Sequence, residues 1–404
     1  MTGKGVFMAL RSILAAFALL LLAPGNSAVA QEKILHSFKA NADPYGSLIF
    51  DAAGNLYGTT RSGGTHGAGM VFELMPKAGG GWTEKVLHNF DLNGNDAWAP
   101  QAGLIFDTTG NIYGTTTAGG THTHGTVFEL SPKAGGGWTE KVLYDLDSIP
   151  YSGLTIDAAG NLYGTTQRGG LYDYGAVFEL TPNTDGGLTE RVLHSFEKIQ
   201  GKEGVFPYAG LIFDSLGNLY GTTLGSNNDW GTVFELTPRA GGSWREKLVH
   251  NFFPTKQDGR DVYAGVVFDT DGNLYGATQQ GGTYGGGKIF QLTPNAGGGW
   301  TEEVLHNFML GTDGFYPQSS VTLDAADNVY GTTPNGGTYG GGTVFELTLG
   351  SDGWAEKILY SFGASDKDGY APQSSLILDA AGNLYGTTAG GGALGGGTVF
   401  EIKH

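Results

Sequence analysis

Short apolar runs, each broken by turn-forming residues and none spaced at a helical period, follow one another from residue 32 to the end of the chain. Residues 103–144 show the unit. Gly103-Leu104-Ile105-Phe106 is a β-branched and aromatic run, and Asp107-Thr108-Thr109-Gly110 is a turn. Asn111 to Thr116 forms a second run, closed by the glycine-rich stretch Gly119 to Gly125. Thr126 to Leu130 is a third run, Ser131 to Gly137 a second turn, and Trp138 to Tyr144 a fourth run. This alternation predicts four short antiparallel strands joined by turns. Several runs are apolar on both faces, as expected of sheets packed between two neighbours.

The unit recurs. Gly-Asn-Leu-Tyr-Gly-Thr-Thr, or a near copy, places tyrosines at Tyr57, Tyr113, Tyr163, Tyr220, Tyr275, Tyr330 and Tyr385, at intervals of 50 to 57 residues. A self-similar period of this size signals a repeat architecture. The last repeat stops after its third run, Thr398 to Ile402. The missing fourth lies at the other end, where Glu32-Lys33-Ile34-Leu35-His36-Ser37-Phe38 matches Glu84-Lys85-Val86-Leu87-His88-Asn89-Phe90. A repeat divided between the termini closes a ring and removes its open edges, whereas an open solenoid would carry polar capping repeats. The expected fold is all-β: a seven-bladed β-propeller, four antiparallel strands per blade, closed by strand 32–38, which completes the last blade.

The first thirty residues stand apart. Lys4 and Arg11 precede the apolar run Ile13 to Leu22, and Ala28-Val29-Ala30 offers a small-residue cleavage site before Gln31. This reads as a secretory signal peptide over 1–30, leaving 31–404 as the propeller; a spanning helix would need about 20 apolar residues. The protein is therefore expected to be secreted (extracellular, periplasmic or on the cell surface) and not membrane-spanning after cleavage. Loss of Lys4 and Arg11 takes the formal charge from −17 to −19, which argues against nucleic acid as a partner. Cysteine is absent, so core and sheet pairing alone must hold the fold. The 72 glycines recur at fixed repeat positions and punctuate an ordered array.

Asp-Ala-Ala-Gly-Asn-Leu-Tyr-Gly-Thr-Thr, followed by Gly-Gly-Thr and Gly-Thr-Val-Phe-Glu-Leu, resembles the GloVer tandem repeat of exported, "choice-of-anchor" bacterial proteins over about residues 32–404. The resemblance implies secretion and a repeat array, without an assigned activity. Members of that family carry differing C-terminal sorting tails; none is visible before His404. More distantly, the Asp-x-x-Gly-Asn-Leu-Tyr turn is similar to that of sensor (NHL-like) propeller repeats, which supports the fold only.

Alignment of the repeats disposes of much tempting chemistry. His36, His88, His194, His250 and His306 share one position with Tyr144 and Tyr360 and read as fourth-strand packing, too far apart around a ring to form a metal cluster with one another. Asp51, Asp107, Asp157, Asp214, Asp269, Asp324 and Asp379 each open a hairpin turn. Asp269-Thr270-Asp271-Gly272-Asn273 resembles the start of a calcium loop, but its glycine is misplaced and no bidentate Glu follows; a turn capped by a short Asp side chain accounts for the motif. No metal site or cofactor is expected, calcium in the axial channel being the alternative. Trp82, Trp138, Trp244, Trp300 and Trp354 read as blade-edge cover. Glu73, Glu129, Glu179, Glu235, Glu346 and Glu401, with Gln291 in the fifth repeat, read as structural partners of Lys85 and its equivalents.

Six residues before each hairpin aspartate stand Tyr45, Gln101, Tyr151, Tyr208, Tyr263, Gln318 and Gln373, and only Tyr and Gln occur there. Both hydrogen-bond, and tyrosine also stacks. The loops between second and third strands, on the same face, add a variable set: His66, His122, His124, Tyr172, Tyr174, Asn228, Trp230, Tyr284 and Tyr339. Variation on a constant frame suits a ligand surface. Nucleophile elbows, metalloprotease helices and phosphate loops are missing from the sequence. The expected function is thus non-catalytic binding of a carbohydrate or protein partner, with Tyr45, Gln101, Tyr151, Tyr208, Tyr263, Gln318, Gln373, Trp230 and Tyr172 as ligand-binding residues. The alternatives are a polysaccharide hydrolase or lyase at the channel mouth, for which Asp258, Asp313 and Asp368 are the recurrent carboxylates, and a structural surface scaffold.

Overall fold

A computed structural model describes residues 30–92, 96–184, 187–198, 204–225, 230–253, 255 and 258–403. The expected signal peptide, apart from Ala30, and Asn228 lie outside these. Seven antiparallel sheets form a seven-bladed β-propeller, and the described residues contain no helix. From the axis outwards, blade 1 comprises 49–50, 56–60, 70–76 and 82–89; blade 2, 105–106, 112–116, 126–132 and 138–145; blade 3, 155–156, 162–166, 176–182 and 188–195. Blade 4 comprises 212–213, 219–223, 232–238 and 244–251; blade 5, 267–268, 274–278, 288–294 and 300–307; blade 6, 322–323, 329–333, 343–350 and 353–361. Blade 7 takes 377–378, 384–391 and 395–403 from the C-terminus and Gln31–Lys39 from the N-terminus. Gln31 pairs with Lys403 and Ile34 with Phe400, so the ring closes as the repeat pattern requires.

The innermost strands are shorter than the apolar runs suggest: only two residues of each pair, as at Ile105–Phe106. On the axial side there is no further strand to pair with, so the residues just before them leave the ladder and line the channel. The outermost strand carries one extra residue in every blade, for example Leu87 between the pairs Phe72–Val86 and Val71–His88. Such a bulge re-aims the side chains beside it. Leu87 turns into the core while His88 packs edge-on to Phe90 with ring centroids 4.6 Å apart.

The core lies between blades. A buried phenylalanine after the outer strand meets the third-strand phenylalanine of the next blade, as in Phe90–Phe128 and Phe196–Phe234, at 5.2 and 5.1 Å between centroids. Threonine hydroxyls join blades nearer the axis. Thr115 Oγ1 donates to Ser152 O at 2.9 Å and Thr222 Oγ1 to Ala264 O at 2.8 Å, each crossing to the following blade.

The repeated heptapeptide is a polar clamp. Asp157 Oδ1 accepts the backbone N–H groups of Ala159 and Asn161, and Oδ2 accepts Asn161 Nδ2 at 2.8 Å and the Tyr163 hydroxyl at 3.0 Å. The same hydroxyl lies 2.8 Å from Glu179 Oε1, and Arg191 pairs with that glutamate. In blade 5 Gln291 replaces the glutamate and donates to the Tyr275 hydroxyl at 2.6 Å. The residue opposite changes with it, from a lysine or arginine to Glu303. Acid and base vary together, as a paired structural element must.

Burial raises the carboxyls of Asp51, Asp107, Asp157, Asp324 and Asp379, and the turn hydrogen bonds outweigh it, holding each below the ordinary 3.8. A folded-state value below the unfolded one contributes stability above the ordinary value, and that contribution disappears as pH falls through the folded value. The melting temperature should therefore drop as pH goes from about 4 towards 2. Asp157→Asn should lower the midpoint at pH 6 and show a shallower acid slope. Equal acid slopes in both proteins would mean that the clamp is not the acid-labile element.

Candidate functional site

Six of the seven lead-ins to an innermost strand, all but that of blade 3, are held in a fixed, strained form. Asp43, Ala99, Phe206, Asp261, Tyr316 and Ala371 all have φ between +52° and +63°. A left-handed non-glycine residue costs about 1–3 kcal/mol and persists where its surroundings over-determine it. Here they do. Phe206 N donates to Tyr174 O at 2.8 Å and Phe206 O accepts from Leu224 N at 3.1 Å; Asp261 N donates to Trp230 O at 3.0 Å and Asp261 O accepts from Gln279 N at 3.0 Å. The residue that follows is proline in five of these six blades and Val262 in the other. Two positions beyond the strained residue comes the tyrosine or glutamine.

All seven of those side chains meet. Tyr45, Gln101, Tyr151, Tyr208, Tyr263, Gln318 and Gln373 ring an axial cavity of about 210 Å³. Two positions further along each lead-in, small residues line the same cavity: Ser47, Gly103, Gly153, Gly210, Gly265, Ser320 and Ser375. The ring is asymmetric. Tyr151 and Tyr208 stack at 4.7 Å and 15° between rings, and Tyr263 meets Tyr208 edge-on at 5.0 Å, so three adjacent blades present an aromatic wall. The opposite arc carries the amides of Gln318, Gln373 and Gln101, with Tyr45 among them. Burial pushes the Tyr208 hydroxyl up to about 12, Tyr151 and Tyr263 adding to the effect and the Arg61 charge opposing it. Among the described residues, no hydrogen bond occupies any of the seven side chains, and no carboxylate lines the cavity.

Trp230 and Tyr172 are not brought into this ring. Trp230 packs against the core between blades 4 and 5 with the Arg260 guanidinium 5.6 Å from its ring centroid, and its backbone oxygen holds the blade-5 lead-in. Tyr172 is 45% exposed on its loop, away from the cavity. Both loops act through backbone support, which residue type alone does not reveal.

Asp258, Asp313 and Asp368 are also away from the mouth. Each cups the start of a connecting loop: Asp258 Oδ2 accepts Phe253 N at 2.8 Å, Asp313 Oδ2 accepts Met309 N at 2.7 Å, and Asp368 Oδ2 accepts Gly363 N at 2.9 Å. They lie in the outer clefts between blades, where they meet the histidine position of one blade and a fourth-strand glutamate of the next. The histidines are as far from one another as the repeat spacing indicates. What that spacing hides is that three of them share a cleft with two carboxylates: His88 with Asp96 and Glu140, His250 with Asp258 and Glu302, and His306 with Asp313 and Glu356. Burial raises Glu140 to about 7, His88 opposing and Asp96 reinforcing, and burial with the Asp313 charge raises Glu356 to about 10.

Residues 22–224 and 297–404 match the Gloeobacter/Verrucomicrobia repeat. The chain belongs to that repeat family. No protein of curated function matches the sequence. Among solved structures, an ancestral GH74 enzyme superposes with a TM-score of 0.57 at 12% identity, over 89% of this chain and 48% of that one. A 6-phosphogluconolactonase, so named provisionally, from Bacteroides uniformis gives 0.49 at 12% identity, over 78% and 83% of the two chains. A protein of unknown function from Dyadobacter fermentans gives 0.45 at 12%, over 93% and 100%. Likeness at such identities concerns the propeller fold alone. Within the repeat family, chemistry must be read from this chain's own ring and clefts.

Proposed function

We propose that this repeat-family chain is an exported, non-catalytic binding module that takes a carbohydrate end group into the axial ring. The observation that carries the reading is the ring's division into an aromatic wall (Tyr151, Tyr208, Tyr263) and an amide arc (Gln318, Gln373, Gln101). A pyranose offers an apolar face to stack and hydroxyls around its edge, and this ring offers a partner to each. A cavity of about 210 Å³ is smaller than the roughly 300–1,000 Å³ of sites that enclose drug-sized ligands. One sugar ring suits it, and the rest of a chain would extend across the loops. Hydrolysis would require carboxylates at the mouth, and those offered by the sequence lie in the outer clefts. Export rests on the leader-like residues 1–30.

The test is glycan-array screening followed by calorimetry. Tyr208→Ala should weaken binding at least tenfold, about 1.4 kcal/mol, while the melting temperature changes little. Unchanged affinity, or no glycan bound at all, would remove the ring from consideration as a sugar site.

A further inference from the structure

The seven outer clefts share one plan. The His or Tyr of one blade faces the fourth-strand Glu of the next: His36 with Glu84 at 3.6 Å, Tyr144 with Glu190 at 3.0 Å, His306 with Glu356 at 3.7 Å. In three clefts an aspartate from the connecting loop joins a histidine and a glutamate, with donor atoms of all three within 4.8 Å of one another.

One of the three already holds a positive charge. Lys288, 1% exposed, places its ammonium 2.7 Å from Asp258 Oδ1 and 2.6 Å from Glu302 Oε1, in the cleft that His250 also faces. Lys288 begins the third strand of blade 5. The other blades have Met70, Thr126, Ala176, Thr232, Thr343 and Thr398 at that position, all uncharged. A buried lysine is costly unless paired, so its presence marks this cleft as one that stabilises a cation. The equivalent clefts of blades 1/2 and 5/6 have the same histidine and carboxylates but only Thr126 and Thr343 in place of the lysine.

Their donors are spaced for an ion. His306 Nε2 lies 3.3 Å from Asp313 Oδ2 and 3.7 Å from Glu356 Oε1, and His88 Nε2 lies 3.4 Å from Asp96 Oδ2. Tetrahedral ligands at roughly 2.0–2.2 Å from a metal stand about 3.4 Å apart. His88 Nε2 and Glu140 Oε1 are buried atoms that make no hydrogen bond among the described residues. We propose that the His88–Asp96–Glu140 and His306–Asp313–Glu356 clefts each bind one divalent transition-metal ion of the Zn²⁺ class, and that Lys288 is the built-in substitute for that ion in the third cleft. One imidazole and two carboxylates favour such an ion over Ca²⁺, which takes six or more oxygens. Three protein ligands leave a fourth position for water. Each ion would join two adjacent blades at their outer rim, where the axial threonine bonds do not reach.

The experiment is calorimetric titration of the purified, EDTA-stripped full-length chain with ZnCl₂ and, separately, CaCl₂. The expected stoichiometry is two Zn²⁺, falling to one in Glu140→Gln or Glu356→Gln and to none in the double variant, with Ca²⁺ failing to compete. Lys288→Met should raise the stoichiometry to three, and its melting temperature, lowered in EDTA, should recover with Zn²⁺. Both glutamine variants remove a buried acid, so they should stay folded and decide the matter even if Lys288→Met does not. Unaltered stoichiometry in the double variant would assign the binding to exposed histidines such as His66, His122 and His124 and overturn the proposal, as would the absence of Zn²⁺ binding.

Discussion

Replacing Gly69 with alanine is expected to lower the unfolding free energy by about 4 kcal/mol, combining backbone strain with overpacking. Gly69 precedes the third strand of blade 1 with φ +100°, a conformation that side chains disfavour, and an added Cβ would lie 2.5 Å from Thr60 O and 2.7 Å from Pro100 Cδ. Neither neighbour can yield freely. Thr60 belongs to the second strand, and Pro100 fixes the lead-in that carries Gln101 into the axial ring. The substitution should therefore disturb the mouth of the cavity as well as the blade. Gly54→Ala is the control: its φ is +81° but nothing lies within 4 Å of the added Cβ, so only the strain of about 1 kcal/mol is expected. Denaturant unfolding of both variants separates the contributions. Equal losses would show that contact with the neighbouring blade contributes nothing.

Phe38→Ala should be nearly as damaging in energy and worse in consequence. Phe38 is 1% exposed, just within the N-terminal strand, with its ring centroid 4.9 Å from that of Phe72. Truncating a buried phenylalanine costs about 3–5 kcal/mol. Phe196, also 1% exposed and 5.1 Å from Phe234, is its counterpart inside the ring, so Phe196→Ala should cost a similar amount. The two differ in what they release. Weakening residues 31–39 uncovers strand 395–403 as a free edge, and free edges recruit other chains. Phe38→Ala should elute from a sizing column as larger species that grow with concentration, while Phe196→Ala elutes as the unaltered protein does. Identical elution of the two would separate ring closure from solubility.

The architecture was legible because it is written seven times. The heptapeptide gave the blade, and the split repeat at 32–38 and 398–402 gave the closure. The Tyr/Gln ring was legible for a similar reason: one position per repeat, restricted to two residue types, necessarily forms a circle about the axis. Aligning repeats arranges equivalent residues in columns, and a column is a ring in space. Contacts between different columns of adjacent repeats do not appear that way. His88 meets Glu140 and His306 meets Glu356 across a blade boundary, and each pair includes a residue that the alignment explains as routine. The strained residues before the ring were hidden for another reason. Asp43, Ala99, Phe206, Asp261, Tyr316 and Ala371 fall into four residue types, because hydrogen bonds from neighbouring loops impose their conformation. The side chains of Trp230 and Tyr172 suit a ligand surface, although the loop of Trp230 contributes through its backbone.

The register of the closing strand governs how the molecule responds to tension. Gln31 faces Lys403, so the chain enters and leaves the last blade side by side at one end of the same two-stranded ladder. A force that separates the termini acts across the strands and loads the Gln31–Lys403 pair first, then Glu32–Ile402, then Lys33–Glu401, each in turn. Bonds broken in sequence resist far less than bonds sheared together. A tether at either terminus alone leaves the closing pair unstrained, whereas tethers pulling on both would unzip it from the outside, one rung at a time.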